Sequence, residues 1–352
     1  MATSSSSLRK AGLLKNQMAE PSITLACRNY DGTNAIIRGA LRPQGIDLQV
    51  NEVNDVVKMF SGMFKGEYDV AEMSLAEMIY YLTRDQCDFI GIPVFPSRLF
   101  RHSFMLCNET AGIRGPEDLT GKKIGGLRWV QTAFIWLRGM LVEEHNLSAK
   151  DMGWYVSALH HWHGNGPEEK ITPRDGSVVK ILTVEGCDEY EMSCRALVDG
   201  KIDVLMTTEN RKYDWLAADP RVRPLFPNVR EAERSYYKKT GIIPIMHVLV
   251  ARRSVVEQYP QLPAKLFELF SQAKKVGREW MRSVPSLNLA WKNQYIDDER
   301  AVFDGRDPWA YGLKANFAAL TKFLSYCDAQ GISATPITPY DLFAPSTWEL
   351  NE

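Results

Sequence analysis

Residues 102–108, His-Ser-Phe-Met-Leu-Cys-Asn, and residues 246–252, Met-His-Val-Leu-Val-Ala-Arg, decide the fold. Both are apolar and strand-like, and both interrupt a regular alternation of strands and helices. They lie about 140 residues apart, a spacing suited to a chain that leaves one lobe and later returns to it. Upstream of the first, the pattern predicts strands at Ser22–Cys27, Ile46–Val53, Tyr68–Ala71 and Phe89–Val94. Helices are predicted over Thr33–Leu41, Asp55–Lys65 and Glu72–Leu82. The Asp55–Lys65 stretch carries Val56, Met59, Phe60 and Met63 at the spacing of one helix face. Between the two segments a second series follows: a strand before the Gly125-Gly126 pair, a helix Gln131–Glu144, a strand Val178–Thr183, a helix Tyr190–Asp199 and a strand Ile202–Met206. Long helical patterns, Leu262–Arg282 and Lys314–Gln330, close the chain.

The expected fold is therefore α/β: two lobes in a clamshell with a central cleft. Residues 22–103 and 246–352 would form a discontinuous first lobe, and 104–245 the second, after a disordered leader at 1–21. Ligands in open α/β sheets bind beyond the carboxyl ends of the strands. That rule gathers Asn29–Thr33, Glu72–Ser74, Pro96–His102, Leu127–Thr132, Thr207–Asn210 and Pro244–His247 around one site.

Composition narrows the function. The 352 residues are 45% hydrophobic and carry 42 basic against 43 acidic side chains, a net charge of −1. Nothing in that balance, and no basic stripe interleaved with aromatics, suggests nucleic acid. No apolar run approaches a transmembrane length, so no membrane partner is expected. Six scattered cysteines with no CxxC pair fit reduced thiols in a cytoplasmic protein. The leader is Ser-rich, free of acids before Glu20 and without a secretory apolar core; an organelle transit peptide is the alternative to simple disorder. The sequence does not set the oligomeric state, and a homo-oligomer is compatible with it.

Residues 92–103, Ile-Pro-Val-Phe-Pro-Ser-Arg-Leu-Phe-Arg-His-Ser, point most directly to chemistry. Two prolines stiffen the loop, which holds Arg98, Arg101 and His102 within five positions. Two guanidinium groups and an imidazole suit a carboxylate to be gripped and a proton to be moved beside it. A plain surface loop is the alternative.

Several segments resemble the 4,5-dihydroxyphthalate decarboxylase family. They are Tyr30-Asp31-x-Thr33, the run from Tyr68 to Leu75, the loop 92–103, the run from Thr240 to His247, and Asp307 to Leu313 with Asn316. The resemblance runs in order from about Ser22 to Pro345. It implies a type II periplasmic-binding-protein-like clamshell and decarboxylation of a small aromatic carboxylate. Departures occur at Leu127-Arg128-Trp129 and in the histidine-rich stretch 160–166, and bear on the substrate more than on the reaction.

Losing CO2 from a hydroxylated aromatic acid needs a proton delivered to the ring carbon while a ring hydroxyl feeds in electrons. No redox step is involved, so no cofactor is obligatory. Arg98 and Arg101 are candidates to hold carboxylates, one of them on a group that is retained. His102 and His247 are candidate proton donors that the two crossing strands would bring together; core histidines are the alternative. Glu72 is either a charge at a helix start, a base for the phenol proton, or the group that orients a histidine. Asp31 is either an Asx-turn former or a base. Tyr30, Ser74, Ser97, Arg128, Gln131 and Thr132 complete the substrate-binding set, the last two at an expected helix start.

His160, His161 and His163 bring a Zn2+ or Fe2+ site to mind, but no third ligand stands nearby, and a loop at the lobe edge is the simpler reading. Trp154, Tyr155 and Trp162 are lid or core. Two other functions compete: a non-catalytic clamshell that binds an anionic aromatic, and a pyrimidine-precursor enzyme that consumes its own histidine. The second is disfavoured by the scattered cysteines.

Overall fold

A computed structural model of the chain describes residues 20–159, 171–183, 188–208, 214–283 and 289–352. The expected leader, the histidine-rich stretch 160–166 and Asn210 lie outside the described residues.

Two sheets carry the architecture. The first contains β1 (Ser22–Cys27), β2 (Asp47–Glu52), β3 (Val70–Ser74) and β4 (Phe89–Ile92). The second contains β5 (Met105–Asn108), β6 (Lys123–Arg128), β7 (Gly153–Ala158), β8 (Val179–Ile181), β9 (Val204–Met206) and β10 (Val222–Pro224). A last strand, β11 (His247–Arg252), returns to the first sheet, whose order is β2-β1-β3-β11-β4. There β11 runs antiparallel between β3 and β4, while β1 pairs in parallel with β2 and β3. The second sheet has the order β10-β5-β9-β6-β7-β8. The chain is thus a mixed α/β protein with two sheets and a cleft between them, as the alternation and the two interrupting segments predict.

Two links join the sheets and pair with each other. Ser97 O accepts from the backbone N–H of Met246 (2.9 Å) and of His247 (3.3 Å), and Leu99 N–H donates to Pro244 O (3.1 Å). Arg98 bridges Ile245 in antiparallel fashion. The prolines of 92–103 keep this crossing extended, because each fixes φ and withdraws a donor. The terminal helix Leu313–Ala329 packs against the helix Thr132–Glu144 that follows β6. Trp136 stacks on Phe323 at 5.0 Å, and its indole N–H donates to Ile245 O (3.0 Å).

Local chemistry sets the boundaries. Asp55 caps the helix Val56–Lys65 by accepting from the amides of Val57 and Lys58, and Gly66 ends it at φ 85°. Three expectations shift. The strand before Glu72 runs on to Ser74, which caps the helix Leu75–Leu82, so Glu72 lies inside β3 and opens no helix. All five β3 residues are buried, which favours continued strand pairing between β1 and β11. The turn His102–Phe104 is 3-10, so β5 begins only at Met105. The helix expected over Thr33–Leu41 covers only Asn34–Ile37. At Gly125 an added Cβ would lie 2.3 Å from Ile202, and at Gly126 it would lie 2.9 Å from Phe134; the pair serves close packing. Among the described residues no helix is long and apolar enough to cross a membrane.

Candidate active site

The cleft between the sheets encloses about 740 Å³. Its chemical centre is built by the antiparallel pairing of β3 and β11. Ser74 sits opposite His247 and Glu72 opposite Leu249, so Glu72, Ser74 and His247 share one face of the sheet. Glu72 and His247 are diagonal neighbours, and His247 Nδ1 meets Glu72 Oε1 at 2.5 Å. The same carboxylate oxygen accepts from the Tyr30 hydroxyl (2.7 Å), while Oε2 accepts from the Arg28 amide (3.2 Å).

Glu72 is fully buried, and burial alone would raise its pKa. The hydrogen bond and charge of His247, with the bonds from Tyr30 and Arg28, outweigh that cost and hold the carboxyl below its ordinary value. Burial, with the neighbouring carboxylate, pushes the Tyr30 hydroxyl well up, so it stays a protonated donor. The His247 ring lies edge-on to Phe60 at 5.4 Å and lines the cleft. With Nδ1 committed to Glu72, Nε2 is the nitrogen left for a ligand.

Around this pair stand Arg101, Arg28 and Ser97. Arg101 is 8% exposed, and its Nε contacts Met246 Sδ at 3.2 Å. Among the described residues no carboxylate pairs with it, and burial lowers its pKa to about 10. A buried guanidinium without a counter-ion is costly. Its place in a cleft wall makes an anionic ligand the natural partner. The Arg28 guanidinium lies 5.7 Å from the Tyr30 ring centre in the same wall.

The opposing wall comes from the second sheet. Arg128, at the end of β6, pairs with Glu189. Thr132 Oγ1 accepts from the Ala76 amide (3.0 Å) and lies 3.0 Å from Ser74 Oγ, which joins the starts of the helices Leu75–Leu82 and Thr132–Glu144 across the cleft. Gln131 precedes the second helix with its Oε1 buried and without a partner among the described residues.

Tyr30, Ser74, Ser97, Arg101, Arg128, Gln131, Thr132 and His247 therefore line one cleft, with Glu72 directly behind His247. Three expected site residues are placed elsewhere. His102 is packed among Phe226 (5.0 Å), Tyr236 (5.5 Å) and Phe100 (6.5 Å), 5% exposed and with no partner at Nδ1 among the described residues. Burial, aided by the charge of His145, lowers its pKa to about 4, which keeps it neutral near pH 7. Arg98 sends its guanidinium away from the cleft, to Asn316 Oδ1 and the carbonyls of Ala310 (3.3 Å) and Pro308 (3.4 Å). Asp31 is exposed on a turn, its carbonyl against Gly277. Trp154 belongs to the core, at 6.0 Å from Trp129.

Sequence reasoning passed over Glu77, Arg28, Phe60 and Glu189 in the lining. The Ser74-x-x-Glu77 spacing was the one available signal for Glu77, and it suggests only a helix start. Among the described residues no cluster of three or more metal-ligating side chains occurs, and His160, His161 and His163 lie outside them.

Comparison with known proteins places this geometry. The chain is 30% identical to a 4,5-dihydroxyphthalate decarboxylase of Comamonas testosteroni over 336 residues, which cover 94% of this chain and 99% of the relative. It is 29% identical over 216 residues to the protein of the same name from Pseudomonas putida, covering 58% and 80% of the two chains. No family model matches. Among solved structures, the periplasmic aliphatic sulphonate binding protein of Escherichia coli superposes with a TM-score of 0.54 at 13% identity, over 94% of this chain and 99% of that one. The alkanesulfonate-binding protein of Xanthomonas axonopodis gives 0.52 at 13% identity, over 94% and 98%. At these identities the likeness is one of fold, that of two-lobed solute-binding proteins. A whole-length match at 30% identity is a relation of another order, and by it the chain belongs to the 4,5-dihydroxyphthalate decarboxylase family of carboxy-lyases.

Proposed function

We propose that this chain decarboxylates a hydroxylated aromatic carboxylic acid, of the 4,5-dihydroxyphthalate type or a polyketide-derived relative, by protonating the ring carbon that bears the carboxylate. The observation that carries the reading is the Glu72–His247 pair in a cleft whose near wall holds Arg101, which has no carboxylate partner among the described residues.

The buried Glu72 carboxylate fixes the ring orientation of His247, the proton donor of the reaction in its imidazolium form. Nε2 of that imidazolium donates to the ring carbon. Arg101, with Arg28, holds a carboxylate that is retained, since gripping the departing one would stabilise the ground state. Protonation makes the ring carbon tetrahedral and moves electrons from a para hydroxyl into a dienone. The bond to the carboxylate then breaks, CO2 leaves and aromaticity returns. One proton from solvent, taken up through His247, is consumed per turnover. With 4,5-dihydroxyphthalate the products would be CO2 and 3,4-dihydroxybenzoate.

The test incubates purified protein with 4,5-dihydroxyphthalate and a panel of hydroxybenzoates and follows CO2 release. His247→Ala should cut kcat by about 100-fold or more, the usual range for a general acid. The absence of turnover with every substrate would remove the reading. It would leave the alternative that the fold likeness favours, a clamshell that binds an anionic aromatic without converting it.

A further inference from the structure

With Glu72 committed to His247, the ring hydroxyl needs a different proton acceptor. Glu77 is in place for it. It stands in the first turn of the helix Leu75–Leu82, 4% exposed and in the lining of the cleft. Side chains on a helix lean towards its N-terminus, and this N-terminus, at Ser74, opens onto the cleft. The charge of Glu77 acts on Arg128, which also pairs with Glu189.

Across the cleft, in the opposing wall, two buried polar atoms, Arg128 Nε and Gln131 Oε1, have no partner among the described residues. One is a donor and the other an acceptor. A pair of adjacent ring hydroxyls satisfies both: one accepts from Arg128 Nε and keeps its own proton for another acceptor, and its neighbour donates to Gln131 Oε1. A second carboxylate would suit this end of the cleft poorly: Glu77, Asp188 and Glu189 line it, and Arg128 already pairs with Glu189. The cleft is thus polar in two senses. Arg28 and Arg101, without a carboxylate partner among the described residues, gather near His247, and carboxylates with a buried acceptor gather near Arg128.

Resting on the decarboxylase reading, we propose that Glu77 is a catalytic residue that takes the proton of one ring hydroxyl of the substrate, that Arg128 Nε donates to that hydroxyl, and that Gln131 Oε1 accepts from the adjacent one. The ring lies with its carboxylate end towards Arg101 and His247 and its hydroxyl end towards Glu77. As His247 Nε2 delivers a proton to the ring carbon, the hydroxyl O–H pair moves into the ring and its proton passes to the Glu77 carboxylate. When the carbon–carboxylate bond breaks, those electrons restore the ring and the phenol oxygen, which takes its proton back from Glu77. The glutamate ends each cycle ionised, and no electrons are gained or lost. A carboxylate is a weak base towards an ordinary phenol. Protonation of the ring carbon makes the hydroxyl far more acidic, so the transfer becomes favourable where the reaction needs it.

The Ser74-x-x-Glu77 spacing also suits a purely structural helix start, and the experiment separates the two roles. Glu77→Gln is compared with wild type on 4,5-dihydroxyphthalate and on a ring-fluorinated analogue with more acidic hydroxyls. Expected are a kcat about 100-fold lower on the parent compound with KM within about threefold, and a deficit at least about fivefold smaller on the fluorinated one. A structural role would lower thermal stability and leave the kcat of folded protein alike on both substrates. Wild-type kcat in the folded variant, or an equal deficit on both compounds, overturns the assignment. Should the amide fail to fold, Glu77→Asp keeps the charge but withdraws it by one methylene; a folded Asp variant with wild-type kcat refutes the role as well. Wild-type protein silent on every substrate sinks the decarboxylase reading along with this one, whereas active wild type with a normal Glu77→Gln sinks this one alone.

Discussion

Replacing Glu72 by Gln keeps the shape of the side chain and removes its charge. In the wild type the carboxylate accepts from Tyr30 Oη at 2.7 Å, from the Arg28 amide at 3.2 Å and meets His247 Nδ1 at 2.5 Å. The amide has one oxygen to offer and must turn its NH2 towards one of these groups. If it faces His247, Nδ1 must become an acceptor, and the ring loses the charged hydrogen-bond partner that orients it. A charge-assisted hydrogen bond contributes roughly 1.5–3 kcal/mol. Losing it from the proton-donating state should lower kcat by a factor of about 10 to 150. KM should stay within about threefold, because the substrate touches His247 and not Glu72. Stability should move in the other direction. The wild type buries a full carboxylate, so a neutral amide loses bond strength but also sheds the cost of desolvating a charge, and the net change should stay within about 2 kcal/mol. Steady-state kinetics and urea unfolding on the same preparation read both effects. A Glu72→Gln protein with kcat within threefold of wild type would refute the claim that this carboxylate tunes the proton donor.

The other predictions concern groups placed away from that pair or beside it. His102 has its pKa lowered from 6.5 to about 4, so the unfolded chain binds the extra proton between those values; stability from this group is complete above pH 6.5 and falls as pH drops towards 4, by up to about 3 kcal/mol. His102→Phe should remove that slope, read as the difference from wild type in urea midpoints at pH 7.5 and 5, since His145 and the raised Glu233 titrate in both proteins; equal slopes would refute it. Arg101→Met replaces a buried guanidinium that lacks a counter-ion, so the free protein should gain on the order of 1 kcal/mol while KM rises about 30-fold or more; a stability loss with unchanged KM would contradict the assigned role. Arg98→Met leaves Asn316 Oδ1 and the Pro308 carbonyl without their donor and the Ala310 carbonyl with Asn316 Nδ2 alone, which should cost about 2–4 kcal/mol in unfolding free energy and leave the kcat of folded protein within threefold.

The fold was legible because its signal is local. Helix Leu262–Arg282 is predicted to the residue, and β11 is predicted to within one residue, since apolar spacing at 3.6 or 2 residues is carried by neighbours in sequence. The site was legible only in part, because side-chain direction depends on pairing between distant segments. Arg98, Arg101 and His102 look alike in sequence, three polar groups on one stiff loop. Asn316, 218 residues on, takes Arg98 out of the cleft, and the aromatic cluster of Phe226 and Tyr236 takes His102. Glu72 and His247 are 175 residues apart, and only the antiparallel insertion of β11 beside β3 makes them partners. Glu77 was missed for another reason: a glutamate three residues after a serine is so common at helix starts that its spacing carries no functional information.

The division of labour between the sheets has a mechanical consequence. Glu72 and His247 belong to adjacent strands of one sheet, so the bond between them is set by backbone ladder geometry and is insensitive to how the lobes lie. Arg128, Gln131 and Glu189 belong to the other side, and Ser74–Thr132 is a hydrogen bond that ties the two walls. A binding clamshell needs only that both walls meet the ligand. A decarboxylase also needs a proton donor whose orientation survives opening and closing, and pairing the donor with its carboxylate inside a single sheet meets that need. The hydroxyl end of the proposed substrate can then be gripped by the opposing wall without disturbing the acid at the other end. On this argument the step from binder to enzyme requires no new fold, only a charged pair placed on the strand that returns through the hinge.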